Sequence, residues 1–323
     1  MVFSKDSILI NPETETNRIV SFLRQQVSRV LKRRGAVLGI SGGVDSSVVL
    51  ALCVKAFGKD KVIPLIMPEK ESDPETLEYA QLVAAHFGVS PILEDITPVL
   101  EGYSCYQRRD NVIKEVFPEY DPQNGYKAKI ILPKNVLDSG LLNFFSLVII
   151  TPDGTEKTHR LNPDQFLKIV AASNFKQRTR MSVLYYYAES NNYAVVGTAN
   201  KNEHMQGFFV KYGDGGVDIR PISHLLKTQV YQLAEYLDVP EVIRSRTPTS
   251  DTYSANQTQE EFFFRIPFKI LDYFIYAKEH DIPADDIASV LNLDINQVNN
   301  ALADITQKKN TTEYLRYPPL SMD

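Results

Sequence analysis

The stretch Gly39–Leu50, GISGGVDSSVVL, sets two glycines between two hydroxyl residues, adds an aspartate and leads into an apolar run. Residue types in that order suit an anion. A turn bare of Cβ atoms lets backbone N–H groups approach a charged oxygen, and a helix that follows aims its first N–H groups at the same point. Ser41, Ser46 and Ser47 add hydroxyl donors. Asp45 would repel a bare phosphate, so its presence points to a bridging metal cation. Read locally, the same turn also fits a tight strand–helix connection capped by serine. The stretch matches neither G-x-x-x-x-G-K-[ST] nor G-x-G-x-x-G, which sets aside the two best-known phosphate loops.

The flanking elements must hold that turn in place. Residues 17–34 have apolar side chains at 19, 20, 23, 27, 30 and 31, a helical spacing. AVLGI at 36–40 reads as a strand, 46–57 as a helix, VIPLIM at 62–67 as a strand, 73–88 as a helix with Pro74 in its first turn, and PILEDI at 91–96 as a third strand. Alternation of this kind predicts an α/β fold, a parallel twisted sheet with helices on both faces. Ligands bind such sheets beyond the carboxyl ends of the strands, where the glycine turn lies. The pattern breaks over 99–172, a tyrosine- and charge-rich segment followed by two strands around a Pro-Asp-Gly turn, so an inserted β-hairpin region is expected there. The order resumes with a helix near 179–190, a strand at 193–199, a helix at 224–237 and amphipathic helices over 267–305. The expected organisation is one domain, 1–323, with an insertion at 99–172 and a helical tail at 267–305.

Composition narrows the class. The chain has 323 residues and a formal net charge of −5, which disfavours bulk nucleic-acid binding. Its two cysteines, Cys53 and Cys105, have no metal-ligand spacing and fit a reducing compartment. The five histidines form no HExxH pattern, so no zinc site is expected. The longest apolar run, Leu141–Ile150, is ten residues, too short for a bilayer, and the N-terminus lacks a signal-peptide pattern. These features predict a soluble, cytoplasmic chain without a membrane partner.

SGGVDS resembles the pyrophosphate-binding loop of the ATP pyrophosphatase superfamily. Three later segments narrow the resemblance: 174–189 (NFKQRTRMSVLYYYAE), 195–230, with the phrase GFFVKYGDGGVD inside it, and 246–261 (RTPTSDTYSANQTQEE). In order and wording they are similar to the ammonia-dependent NAD synthetases. Taken singly, Arg178 fits a solvated helix charge, Glu203 a carboxylate at a helix start and GDGG a loop turn. Their joint order downstream of the SGGVDS loop favours the functional reading.

The resemblance implies ATP-dependent amidation of deamido-NAD with ammonia through an adenylated carboxylate, releasing AMP and pyrophosphate. It implies that Gly39, Ile40, Ser41, Gly42, Gly43, Val44, Asp45 and Ser46 hold the ATP phosphates, with Thr198, Lys227 and Thr249 also on ATP. Asp45 and Glu203 would bind Mg²⁺, and Arg178, Lys211 and Asp218 would contact deamido-NAD. Asp45, Lys227 and Asp218 are the expected catalytic residues, with Asp218 or Asp214 taking the proton of ammonium. The loops at 205–217 and 249–262 are the expected cover of the site. A homodimer is implied. No glutamine-hydrolysing domain is expected, because about sixteen residues precede the first helix, and free ammonia is the expected donor. Three departures bear on substrate choice: QTQEEFFF at 257–264, Tyr314 and Leu315 where the family carries His-Lys, and the long 99–172 segment. The alternatives are a related amide-forming ligase on another carboxylic acid and a nucleotide-binding regulator without catalysis.

Overall fold

The computed structural model describes residues 3–132, 136–139, 144–249 and 252–322, with the backbone alone at 138 and 139. The apolar run Leu141–Ile150 and the 249–262 loop therefore lie partly outside the described residues.

Helix α1 (Pro12–Gln25) begins on an Asn11 cap with proline at its first position, then passes into a π-helical turn, Gln26–Val30. Strand β1 (Ala36–Gly39) follows and ends at the glycine turn, and α2 (Val44–Phe57) leaves that turn. Next come β2 (Val62–Ile66), α3 (Pro74–His86) and the short β3 (Ile92–Leu93). All four strands of the main sheet are parallel, in the order β3-β2-β1-β7, where β7 is Ala194–Val195. The chain moves from β1 outward to β2 on one side and later returns to β7 on the other. The loops after β1 and β7 therefore part at a switch point, where an open sheet leaves a crevice.

Side-chain alternation fills both faces of this sheet. Ala36, Leu38, Val62, Ile66, Ala194 and Val196 face one core with α1, α2 and α3. Val37, Leu65 and Val195 face another. The second core includes residues of α4 (Thr97–Gly102), α5 (Cys105–Val116) and α7 (Pro163–Asn191). Helix α2 is buried along most of its length, which is why its sequence is apolar on all sides rather than striped.

The expected insertion holds more than a hairpin. Strands β4 (Lys127–Ile131), β5 (Ser146–Ile150) and β6 (Glu156–Arg160) form a separate antiparallel sheet in that order. The short α6 (Val136–Ser139) lies between β4 and β5. The Pro-Asp-Gly turn joins β5 to β6, with Gly154 at φ +85° donating its N–H to Thr151 O. Helix α7 is far longer than the expected 179–190. It starts at Pro163 on a capping box in which Asn162 and Gln165 exchange bonds, and so carries the insertion straight into the main domain.

The remaining helices are α8 (Lys201–Gln206), α9 (Lys227–Tyr236), α10 (Glu241–Arg244), α11 (Phe268–Glu279), α12 (Ala284–Leu291) and α13 (Ile295–Thr311). The last three share a core built on Phe264, Phe268, Leu271, Phe274, Ile287, Val298 and Ile305. Among the described residues no helix is long and apolar enough to cross a membrane.

Candidate active site

A cleft of about 1160 Å³ opens at the carboxyl ends of β1 and β7. Its floor is the glycine turn. Gly42 adopts φ +68°, and a Cβ there would stand 2.6 Å from Tyr79 Cβ and 3.0 Å from Ala80 N, so the turn requires glycine for backbone and packing reasons alike. Gly43 is the N-cap of α2 and offers no side-chain cap. The first N–H groups of α2 are thus left for another acceptor. Ser46 and Ser47 both donate to Gly43 O, at 3.0 and 2.8 Å, which fixes the turn from within.

Asp45, Glu203 and Lys227 come from the first turns of α2, α8 and α9, and all three line the cleft. Lys227 is 1% exposed and its ammonium is ion-paired with Asp45. Asn200 donates from Nδ2 to Asp45 Oδ1 at 3.1 Å, and its N–H donates to Glu203 Oε2 at 3.1 Å. Burial, and then the Asp45 carboxylate, push Glu203 well above the ordinary carboxylate range, against the pull of Lys227. Burial by itself would lower the Lys227 pKa, but Asp45 and Glu203 outweigh it and the net shift is upward. A second layer sets the backbone. Asn202 donates to Asp272 Oδ1 at 2.6 Å and accepts from Lys227 N at 3.3 Å, while Thr228 donates both N–H and hydroxyl to Asp272 Oδ2 at 2.6 Å. Sequence reasoning missed Asn200, Asn202 and Asp272. Asn200 was detectable as one half of an Asn-x-x-Glu capping box, whereas Asp272 sits in an ordinary helical pattern and gave no sign.

The other expected residues divide. Gly39, Ile40, Ser41, Gly43, Val44, Ser46, Thr198 and Thr249 line the same cleft, as do Arg178 and Lys211. Arg178 stands exposed on α7. Lys211 donates to the carbonyls of Tyr314 and Tyr317, each at 3.0 Å, so the C-terminal turn seats it at the rim. Tyr314 and Leu315 line the cleft beside it.

Gly42 and Asp218 depart from the expectation, since neither reaches the cleft lining. Gly42 packs against Tyr79, and the Asp218 carboxylate accepts the Val195 N–H at 2.8 Å and the Tyr185 hydroxyl at 3.1 Å, which spends it on the β7 edge. Asp214 does line the cleft. Its side chain is exposed there and accepts the Val210 N–H at 2.8 Å.

Two carboxylates flanking a lysine at a helix start suit a hard divalent cation shared with phosphate oxygens. Such an ion commonly takes only one or two protein carboxylates. Among the described residues no cluster of three or more His, Cys, Asp or Glu side chains offers a fuller cage.

Comparison with known proteins places this architecture. The family model described as NAD synthase matches residues 15–117 and 145–319. The NH(3)-dependent NAD(+) synthetase of Rhizobium meliloti (strain 1021) is 48% identical over 319 residues, covering 99% of this chain and 94% of its own length. The enzyme of the same name from Mesorhizobium japonicum is 47% identical over 313 residues, covering 97% of both chains. The NH3-dependent NAD synthetase of Campylobacter jejuni, solved with a nitrate ion, shares the fold at a TM-score of 0.62 and 21% identity, over 97% of this chain and 100% of that one. The glycine turn, the Asp45–Glu203–Lys227 arrangement and these matches lead to one conclusion: the chain belongs to the NAD synthase family.

Proposed function

We propose that the protein makes NAD from deamido-NAD, ATP and ammonia. The observation that carries this reading is the convergence of Asp45, Glu203 and Lys227, from three separate stretches of chain, around the free N–H groups that open α2. The α2 N–H groups and Gly43 would hold the β and γ phosphates of ATP, which leave together as pyrophosphate. Lys227 would add positive charge where negative charge accumulates on the transferring phosphoryl group. Thr198 and Thr249 would complete the nucleotide contacts. Asp45 and Glu203 would hold Mg²⁺, which when bound neutralises phosphate charge and keeps both carboxylates ionised.

Arg178 and Lys211, at the rim, suit the pyrophosphate of the dinucleotide acid. The nicotinate carboxylate attacks the α-phosphorus, the bond to the β-phosphate oxygen breaks, and an acyl-adenylate forms. Ammonia then attacks the acyl carbon, AMP departs with the bonding pair, and the amide remains. Ammonium must first lose a proton, and Asp214, whose carboxylate lines the cleft, takes that role in place of Asp218. The cleft walls would keep water from the acyl-adenylate. A cytoplasmic homodimer completes the reading.

The test is formation of AMP and NAD by purified protein given ATP, Mg²⁺, deamido-NAD and ammonium, with glutamine replacing ammonium in parallel. NAD with ammonium, little with glutamine and none from Asp45→Ala is the expected result. ATP binding without NAD would move the assignment to another carboxylic acid, for which Tyr314 and Leu315 are the first residues to examine.

A further inference from the structure

Outside the catalytic triangle, buried charge also collects beside the cleft on α7. Lys176 of α7 is 1% exposed, and its ammonium donates to Glu69 Oε1 at 2.8 Å, Glu71 Oε2 at 2.8 Å and the carbonyl of Thr252 at 3.2 Å. Those three acceptors use all three N–H bonds that a lysine has. Glu69 also accepts the Tyr106 hydroxyl at 2.7 Å, and Glu71 receives the Arg109 guanidinium at 2.6 and 2.7 Å. Burial would raise Glu71, yet Arg109 and Lys176 prevail and hold it at about 2, so it is an anion throughout the working range. One ammonium thus joins the loop after β2, helix α5 through Arg109, and the segment that begins at Thr252.

That segment has a second anchor. The edge of β4 not paired with β5 bonds to it: Ala255 N–H donates to Ala128 O at 3.2 Å, Ala128 N–H donates to Ser254 Oγ at 3.0 Å, and Gln257 Nε2 donates to Ile130 O at 2.5 Å. Thr249 then bridges Thr258 at the base. Thr249, Thr252, Tyr253 and Gln259 all line the cleft.

We propose that Lys176 is a positioning residue for nucleotide binding: together with the free edge of β4 it holds residues 252–259 against the cleft before ATP arrives, so that the inserted sheet serves as the support of that wall. This rests on the reading of the cleft as the ATP site. A loop left loose in the free protein must be ordered at the moment of binding, and that ordering subtracts from affinity. Fixing it beforehand with a buried ammonium removes the loss. The acid substrate, assigned to Arg178 and Lys211 rather than to residues 252–259, should feel little of this.

The experiment compares wild type with Lys176→Met and Gln257→Leu, the second of which leaves the ion network whole. Three quantities are read: hydrogen exchange at the Ala255 amide without nucleotide, the ATP dissociation constant, and steady-state KM and kcat. In both variants Ala255 should exchange at least about tenfold faster. ATP Kd and KM should rise about tenfold, with kcat and the acid-substrate KM within about twofold of wild type. A Lys176→Met protein that melts earlier yet keeps wild-type Ala255 exchange and ATP affinity has lost stability only, and overturns the proposal. Should Lys176→Met not fold, Gln257→Leu decides alone: unchanged exchange and ATP affinity there overturn it equally. Wild-type protein that binds no ATP would overturn the nucleotide reading itself, and is told apart because exchange at Ala255 needs no nucleotide and would still rise in both variants.

Discussion

Gly42 and Gly43 are neighbours, but alanine at each should fail for a different reason, and the pair separates folding from binding. At Gly42 the backbone is left-handed, φ +68°, and the new Cβ would stand 2.6 Å from Tyr79 Cβ. The conformation costs about 1–2 kcal/mol for a residue with a Cβ. Overpacking against a helix adds about 1–3 kcal/mol. Gly42→Ala should therefore lose about 2–5 kcal/mol of stability. Gly43 has φ −85° and ψ 157°, which any residue adopts, and its Cβ would meet only the Ser41 hydroxyl, at 3.3 Å, a group that can rotate away. Alanine is a poorer cap than glycine but restricts the unfolded chain, so the net change should stay within about 1 kcal/mol. Its cost falls on the ligand instead. Displacing one N–H from a phosphate oxygen forfeits about 1.5–3 kcal/mol, or about 10- to 150-fold in ATP affinity. Urea denaturation and calorimetric ATP titration of both variants make the assay. A Gly42→Ala protein as stable as wild type, or a stable Gly43→Ala protein that binds ATP normally, would refute the reasoning.

Two further outcomes follow from the charges around Asp45. Lys227→Met keeps the apolar stem and removes the ammonium, so pyrophosphate release in a single turnover should slow by about 10²–10³, roughly 3–4 kcal/mol; a loss below about tenfold would place Lys227 outside the transferring phosphates. Glu203→Gln should make the metal-free protein relatively more stable as pH rises. Burial and Asp45 lift the folded pKa of Glu203 above its ordinary 4.5, so the folded state keeps a proton that the unfolded chain has released. The stability this proton confers is whole below the unfolded pKa and is lost as pH climbs through the folded one. It falls by at most about 1.4 kcal/mol per pH unit, and the glutamine variant lacks it. Urea melts in chelator between about pH 5.5 and about pH 8.5 should show that difference, and parallel slopes for the two proteins would count against it.

Local physics explains which parts were legible. A strand, a glycine turn and a helix within about twenty residues announce themselves by spacing and by residue type, so β1, the turn and α2 could be read directly. The length of α7 was legible in principle, because Asn162-Pro163-Asp164-Gln165 is a helix start, but the charge-rich text before it masked the period. Strand β4 was missed because antiparallel pairing to β5 is decided by a partner eighteen or so residues away rather than by its own short KAKII run. Asp218 was misplaced for the reverse reason. A motif carries a residue's order along the chain, but not whether its carboxylate turns into the cleft or back onto a backbone N–H, and here Val195 takes it.

The sequence by itself determined the fold class, the glycine turn between β1 and α2, and that Asp45, Glu203 and Lys227 deserved to be sought in one site, because each rests on local geometry or on a distinctive run of residues. Only the tertiary structure decided how those three share charge, that Asp214 rather than Asp218 lines the cleft, and that Lys176 joins α5 of the insertion to a cleft-lining segment. Glu69 and Lys176 are 107 positions apart. A lysine in a helical run reads as solvated until folding shows the carboxylates packed against it, because burial and pairing belong to the fold and not to the residue.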